Sequence, residues 1–245
     1  MFNPRTTKIQ ELANRFPERI QELEQAFDKK TNLYIDYANV FHWQEYLGWH
    51  IDIKRLKQLL DSFNTIQKVR LYGGTLLGNQ ESEDWVRHTQ RMGYDTRTKP
   101  VKIMRLSIDV SSIPTNSPAL LETFIKKSLL LKLDLGTIEF LNQKLSDLNR
   151  KGILYLEEKK CNFDVEIGSD MSLDSWTNSV ENFILWSGDS DFVDIVDVLL
   201  DAGKKVVVFA TARRISKELS ETKAQIFDIR KIKEFICWPR ELREQ

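Results

Sequence analysis

The stretch FILWSGDSDFVDIVDVLLDAGKKVVVFA, residues 183–210, decides the reading of this chain. Phe183–Trp186 is a short apolar run of the length of a buried strand, and Lys205–Ala210 is a second one rich in valine. Between them, Phe192–Ala202 reads as a helix. A strand, a helix and a strand joined by short connections form a parallel crossover unit. Ser187, Gly188, Asp189, Ser190 and Asp191 occupy the turn after the first strand.

The same rhythm extends in both directions. Upstream, Asn32–Asp36 reads as a buried strand, Asp52–Phe63 as a helix capped by Asp52, and Gln67–Tyr72 as a strand closed by Gly73 and Gly74. Glu81–Met92 reads as a helix stopped by Gly93, and Lys99–Leu106 as a strand. SSIPTNSP, residues 111–118, is loop-like, and two helical patterns follow it at 118–132 and 137–150. Ile153–Leu156 is a strand, Asp164–Trp176 a helix and Ile226–Ile229 a last short strand. Residues 8–27 show amphipathic spacing interrupted by Pro17, which predicts an N-terminal helical appendage over residues 1–30. The expectation is a three-layer α/β domain over 31–235 with a mostly parallel central sheet, a helical insertion at about 111–150 and a tail at 236–245.

In an open α/β sheet, ligands bind beyond the carboxyl ends of the strands, so the polar residues just after strands matter most. Asp36 ends one strand, Asp189 and Asp191 follow another, and Asp164 opens the helix after a third. Each has an ordinary role available: Asp36 can start a turn, Asp189 can cap a helix, and Asp164 suits a helix N-terminus. Together at one sheet edge they make an acidic site. Carboxylates without histidine or cysteine favour Mg2+ or Mn2+ over zinc, and such sites usually meet phosphate.

Three segments bear a combined resemblance. LYIDYANVF (33–41) has an Asp followed three residues later by Asn, KCNFDVEIGSDM (160–171) has Lys-x-x-x-Asp-Val-x-Ile-x-x-Asp, and residues 187–192 read Ser-Gly-Asp-Ser-Asp-Phe. In this order they resemble the NYN domain family of the PIN-like nuclease superfamily, over about residues 31–229. The resemblance implies a PIN-like fold, Mg2+ or Mn2+ binding and RNA cleavage, with an acidic set of Asp36, Asp164, Asp189 and Asp191. Asn39 and Asp170 match further polar motif positions, and Ser187 matches a small hydroxyl residue that orients the loop. The expected activity is a metal-dependent ribonuclease, an endonuclease, in which one or two ions among the aspartates activate a water for attack on an RNA phosphodiester. Asp36 and Asp189 are the expected direct ligands.

RNA contacts are expected from Lys160, Thr211, Arg213 and Arg214, which fall at the same sheet edge, and from Trp43 as the aromatic best suited to stack a base. The alternative is a non-catalytic NYN-like module that binds RNA or a protein. A small-nucleotide phosphohydrolase would use the same chemistry. Equal numbers of basic and acidic residues, 36 each, argue against RNA binding by bulk charge, so a partner protein could supply specificity. Two distant cysteines and three histidines do not make a zinc site. The first residues lack a signal-type apolar run, and no stretch reaches the length of a membrane span, which makes the cytoplasm the expected compartment.

Overall fold

The computed structural model of the chain describes residues 1–177, 180–211 and 214–242. It divides into two compact units, Met1–Pro100 with Cys161–Gln245, and Val101–Lys160.

The first unit is built on a six-stranded sheet. Its elements in order are α1 (Thr7–Arg15), α2 (Pro17–Ala26), β1 (Thr31–Asp36), α3 (Tyr37–Leu47), α4 (Ile53–Leu60), β2 (Ile66–Thr75), α5 (Gln80–Arg91) and β3 (Asp95–Pro100). The second unit contributes β4 (Lys102–Ser107), α6 (Lys127–Leu130), α7 (Leu135–Arg150) and β5 (Tyr155–Lys160). The first unit then resumes with α8 (Asp164–Trp176), β6 (Asn182–Trp186), α9 (Val193–Asp201), β7 (Lys205–Ala210), α10 (Lys217–Ser220), β8 (Gln225–Asp228) and α11 (Lys233–Ile236).

Strand order in the main sheet is β3-β2-β1-β6-β7-β8, and every pairing is parallel. The chain moves outward from β1 to β3 and later from β6 to β8. The order therefore reverses between β1 and β6, which is the topological switch point where such sheets bind ligands. All residues of β1 and β6 are buried, as central strands covered on both faces must be. α8 packs on β1 and α9 on β7, with α8 and α9 side by side. Phe27, Phe63 and Phe209 form an aromatic cluster in the core.

Local chemistry explains the boundaries. Pro17 separates the two N-terminal helices and occupies the first turn of α2, where its missing N–H costs nothing. Both helices lie in the first unit and bury Ile9, Leu12, Ile20 and Leu23 in its core. Asp52 caps α4 by accepting from Lys54 and Arg55 N–H.

Several expectations need correction. Residues 37–47, to which no element was assigned, form α3, capped by Asp36 and ended by Gly48 in the left-handed region at φ 69°. Gly73 and Gly74 lie within β2 instead of closing it. The strand expected at 99–106 is two strands in different sheets: β3 ends at Pro100, which lacks a donor to continue the ladder, and β4 pairs antiparallel with β5. The strand expected at 153–156 lies further on, at Tyr155–Lys160. The helix expected at 118–132 is a single 3-10 turn, Leu121–Thr123, followed by the short α6. Only Leu121 and Leu130 of that stretch are buried, and an apolar stripe without packing does not sustain a long helix. Among the described residues no helix is long and apolar enough to cross a membrane.

Gly73 tests the packing of α5 on the sheet. A Cβ there would sit 2.4 Å from the Trp85 ring, which is stacked on Tyr37. Gly73→Ala is expected to lower stability by about 1–3 kcal/mol through this overpacking, measured by urea unfolding.

Candidate metal centre

The site forms where β1 and β6 end side by side. Asp36, the last residue of β1, is 7% exposed. One of its oxygens, Oδ1, accepts from the Asn39 N–H at 3.3 Å and so caps α3. The other, Oδ2, accepts from Ser187 Oγ at 3.4 Å. Ser187 is itself fully buried and its oxygen accepts from the Asp189 N–H at 3.4 Å. Ser187 thus links the two strand ends.

Asp189 caps the 3-10 turn Ser190–Phe192 by accepting from the Asp191 N–H. Asp164 enters from the first turn of α8, its N–H held by Asn162 Oδ1 at 2.9 Å. Asp164, Asp189 and Asp191 each present a carboxylate oxygen, and these atoms lie within 4.8 Å of one another. Asp36 stands beside this trio. Among the described residues, no lysine, arginine or histidine pairs with any of the four.

Their electrostatics follow from that placement. Burial is the largest influence on Asp36 and raises its pKa to about 6. The charges of Asp164 and Asp189 add to the rise, and the hydrogen bonds from Asn39 and Ser187 partly offset it. Asp164 is also raised, first by burial and then by the nearby Asp191 and Asp189 carboxylates. Hard oxygen donors, crowded and without a protein cation, fit a divalent metal such as Mg2+ or Mn2+.

An open cleft of about 400 Å³ adjoins the acids, lined by Asn39, His42, Trp43, Gly188, Asp189, Ser190, Arg214, Ile215 and Ser216. Its shape depends on Gly188. A Cβ at that position would lie 1.7 Å from the Arg214 carbonyl oxygen. The Ser216 N–H donates to the Gly188 carbonyl at 2.8 Å, so the two backbones run in contact. The Arg214 guanidinium lies 3.2 Å above the ring centre of Tyr46, which is 68% exposed.

The remaining expected residues are placed as follows. Asn39 lines the cleft. Asp170 is set apart from the acidic trio: it accepts from Tyr72 OH at 2.7 Å and lies 3.8 Å from Arg70 and Arg97. Trp43 is 4% exposed and belongs to the core, so it has no free face for a base; Phe41 and Tyr46 are the exposed aromatics of α3. Thr211 is buried, and its carbonyl accepts from the Arg214 N–H. Lys160 ends β5 in the second unit, where it pairs with Glu158. Arg213 lies outside the described residues. Ser190, Ile215 and Ser216 line the cleft without having been singled out as contacts in the sequence; only their position after strand ends pointed to them.

A six-stranded parallel sheet flanked by helices, with acids gathered at its switch point, defines a PIN-like α/β fold. The NYN domain family model matches residues 135–232, which bears out the resemblance read from the sequence. The matched span holds Asp164, Asp189 and Asp191, while Asp36 lies before it. The chain is 25% identical over 208 residues to the low amplitude and bright protein LabA of Synechococcus elongatus, covering 83% of this chain and 86% of that one. It superposes on the crystal structure of a protein of unknown function from Vibrio parahaemolyticus with a TM-score of 0.51 at 16% identity, over 85% of this chain and 96% of that one. That likeness supports the fold alone.

Two outcomes are expected. Because the folded chain holds the Asp36 proton more tightly than the unfolded chain, the contribution of Asp36 to metal-free stability, seen as the difference from Asp36→Asn, should be fully present below pH 3.8 and be lost, by about 3 kcal/mol, as pH rises through about 6. Binding of Mn2+ should strengthen through the same window with release of protons. Urea melts and calorimetric titrations at several pH values check both. Separately, Gly188→Ala should force the two backbones apart and destabilise the fold by about 1–3 kcal/mol, a loss read from thermal unfolding.

Proposed function

We propose that the chain is a divalent-metal-dependent ribonuclease that cleaves RNA phosphodiester bonds at Asp36, Asp164, Asp189 and Asp191. The observation that carries this reading is the convergence of these carboxylates, without a protein cation, at the switch point of a PIN-like sheet and beside an open cleft. Its NYN match supports the nuclease class.

In this reading Asp36 and Asp189 hold the metal directly, and Ser187 keeps their strand ends in register. Asp164 or Asp191 orients the attacking water or a second ion. A bound Mg2+ or Mn2+ would neutralise the carboxylates, activate the water and stabilise charge on the phosphate during in-line displacement. His42 and Asn39 stand on the cleft wall, where they can contact ribose or phosphate. Arg214 supplies a cation for a phosphate, and the exposed rings of Tyr46 and Phe41 offer faces for unpaired bases. A cleft open along the surface admits a strand from the side, which supports internal cleavage.

The test is cleavage of labelled single-stranded and structured RNA with Mg2+, Mn2+ or EDTA. Activity that requires metal and falls by about 10²–10⁴-fold in Asp189→Asn, the scale of several kcal/mol of transition-state stabilisation, is the expected result. An Asp189→Asn variant as active as the wild type would refute the assignment. A folded wild type that cleaves nothing would favour the binding module instead.

A further inference from the structure

Beneath the acidic site, a row of buried polar residues runs between the sheet and α8. Side chains alternate along a strand, so Asn32, Tyr34 and Asp36 of β1 share one face, as do Arg70 and Tyr72 of β2. A central sheet face covered by a helix is ordinarily apolar, and here it is not. Asp174 of α8, 6% exposed, accepts from Asn32 Nδ2 at 2.7 Å, from Tyr34 OH at 2.6 Å and from Arg70 Nη2 at 3.1 Å, with a further bond from Arg70 Nη1. Arg70, 3% exposed, also donates through Nε to Asp95 Oδ2 at 3.2 Å. One turn earlier on α8, Asp170 accepts from Tyr72.

We infer that the Arg70–Asp174 fork is a positioning device for the metal centre: it fixes the rotation and axial register of α8 and thereby delivers Asp164 to Asp189 and Asp191. This inference rests on the proposed reading of the acidic site. Three arguments lead to it. First, Asn32 and Tyr34 engage Asp174 while Asp36, on the same strand face, stands beside Asp164; one strand therefore meets both ends of one helix. From Asp164 to Asp174 is ten residues, a rigid span of about 15 Å. Second, a buried ion pair gains little stability over apolar packing of similar volume, so its chief effect is on geometry. The fork is directional, and Asp174 has donors from two strands at once, which leaves α8 a single angular setting. Third, the acidic trio opposes that setting. Asp164 is pressed away from Asp189 and Asp191 by like charge, and its own hydrogen bonds do not reach the sheet. Burial works against a charge on Asp174, but the bonds from Arg70, Tyr34 and Asn32 outweigh it and hold that carboxyl below its ordinary range.

Arg70 and Asp174 are accordingly positioning residues, since neither touches the acidic trio. The test compares Arg70→Lys with a four-site apolar variant, Asn32→Val, Tyr34→Phe, Arg70→Met and Asp174→Leu. Lysine keeps the charge and loses the fork. The apolar variant removes Asp174 together with its three side-chain donors, and leaves Asp95 and Asp170 paired with Arg97 and, for Asp170, with Tyr72. Both are examined at a temperature where circular dichroism and unfolding curves show them folded. Three readouts follow: Mn2+ affinity by calorimetry, cleavage kinetics, and amide hydrogen exchange over residues 164–171.

In the apolar variant, Mn2+ binding should weaken by about 10–100-fold and kcat should fall by a similar factor with KM little changed, the range seen when supporting partners of a metal site are lost. Arg70→Lys should lose less. Exchange at the start of α8 should quicken at unchanged global stability. Wild-type affinity, kcat and exchange in a folded apolar variant would overturn the inference. If the wild type itself neither binds Mn2+ nor cleaves RNA, the ribonuclease reading fails. The exchange experiment still judges the positioning role, and unaltered protection over residues 164–171 would refute it.

Discussion

The face of β1 that carries Asn32, Tyr34 and Asp36 is both buried and polar, and a polar group taken out of water must find partners or destabilise the fold. The other face of the same strand carries Leu33 and Ile35, which join the apolar core. Asn32 and Tyr34 find their partner in Asp174. Asp36 finds two long hydrogen bonds and two acidic neighbours, Asp164 and Asp189. The Tyr34 hydroxyl and the Asn32 amide nitrogen are thus paired, whereas the Asn32 amide oxygen has no partner among the described residues and Asp36 is crowded by like charge at the carboxyl end. That imbalance is tolerable because the rest of the sheet is held by apolar burial in β6 and β7, where every residue from Asn182 to Trp186 is buried.

Parallel topology determines where the imbalance falls. Strands β1 and β6 are neighbours that run in the same direction, so their carboxyl ends leave the sheet together. The turn after β6 and the start of α3, which follows β1 directly, then occupy one edge, and α8 begins there as well. Three of the four acids sit at or beside the start of a helical turn: Asp36 before α3, Asp164 opening α8 and Asp189 before the 3-10 turn. The partial positive charge of these starts softens the crowding of carboxylates without removing it. What remains is a demand for positive charge that a divalent ion meets with fewer steric requirements than a lysine would.

Residues 183–210 were legible in the sequence because strand, turn and helix there follow simple hydrophobic periods, and the acids after the strands were legible for the same reason. The edge strand β3, DTRTKP, was hidden because none of it is buried and it has no apolar alternation to read. β5 is exposed along its whole length and was only partly visible. Trp43 was read as a base-stacking aromatic because its neighbours in sequence are polar. In α3 it shares a helical face with Val40 and Leu47, and that spacing of three and four places it inside. The pairing of Arg70 with Asp174 spans 104 positions and two elements, so only the strand register and the helix placement together reveal it. Asp170 was found by motif position alone, which gave no hint that its partner is a tyrosine of β2.

Under the proposed ribonuclease reading, charge distribution accounts for how a chain with as many acids as bases could receive RNA. Arg70 and Arg97 are engaged with Asp95, Asp170 and Asp174, and Lys99 pairs with Glu166 at 2.6 Å. These cations organise the protein rather than its surroundings. On the wall of the cleft stands Arg214, braced by the Tyr46 ring on one side and by the Gly188 contact through its own backbone. A guanidinium held in place by stacking loses less freedom on meeting a phosphate than a lysine on a mobile stem. Recognition built this way depends on the local fit of one phosphate and its neighbouring base to a shaped wall, and only weakly on the long-range field of the molecule.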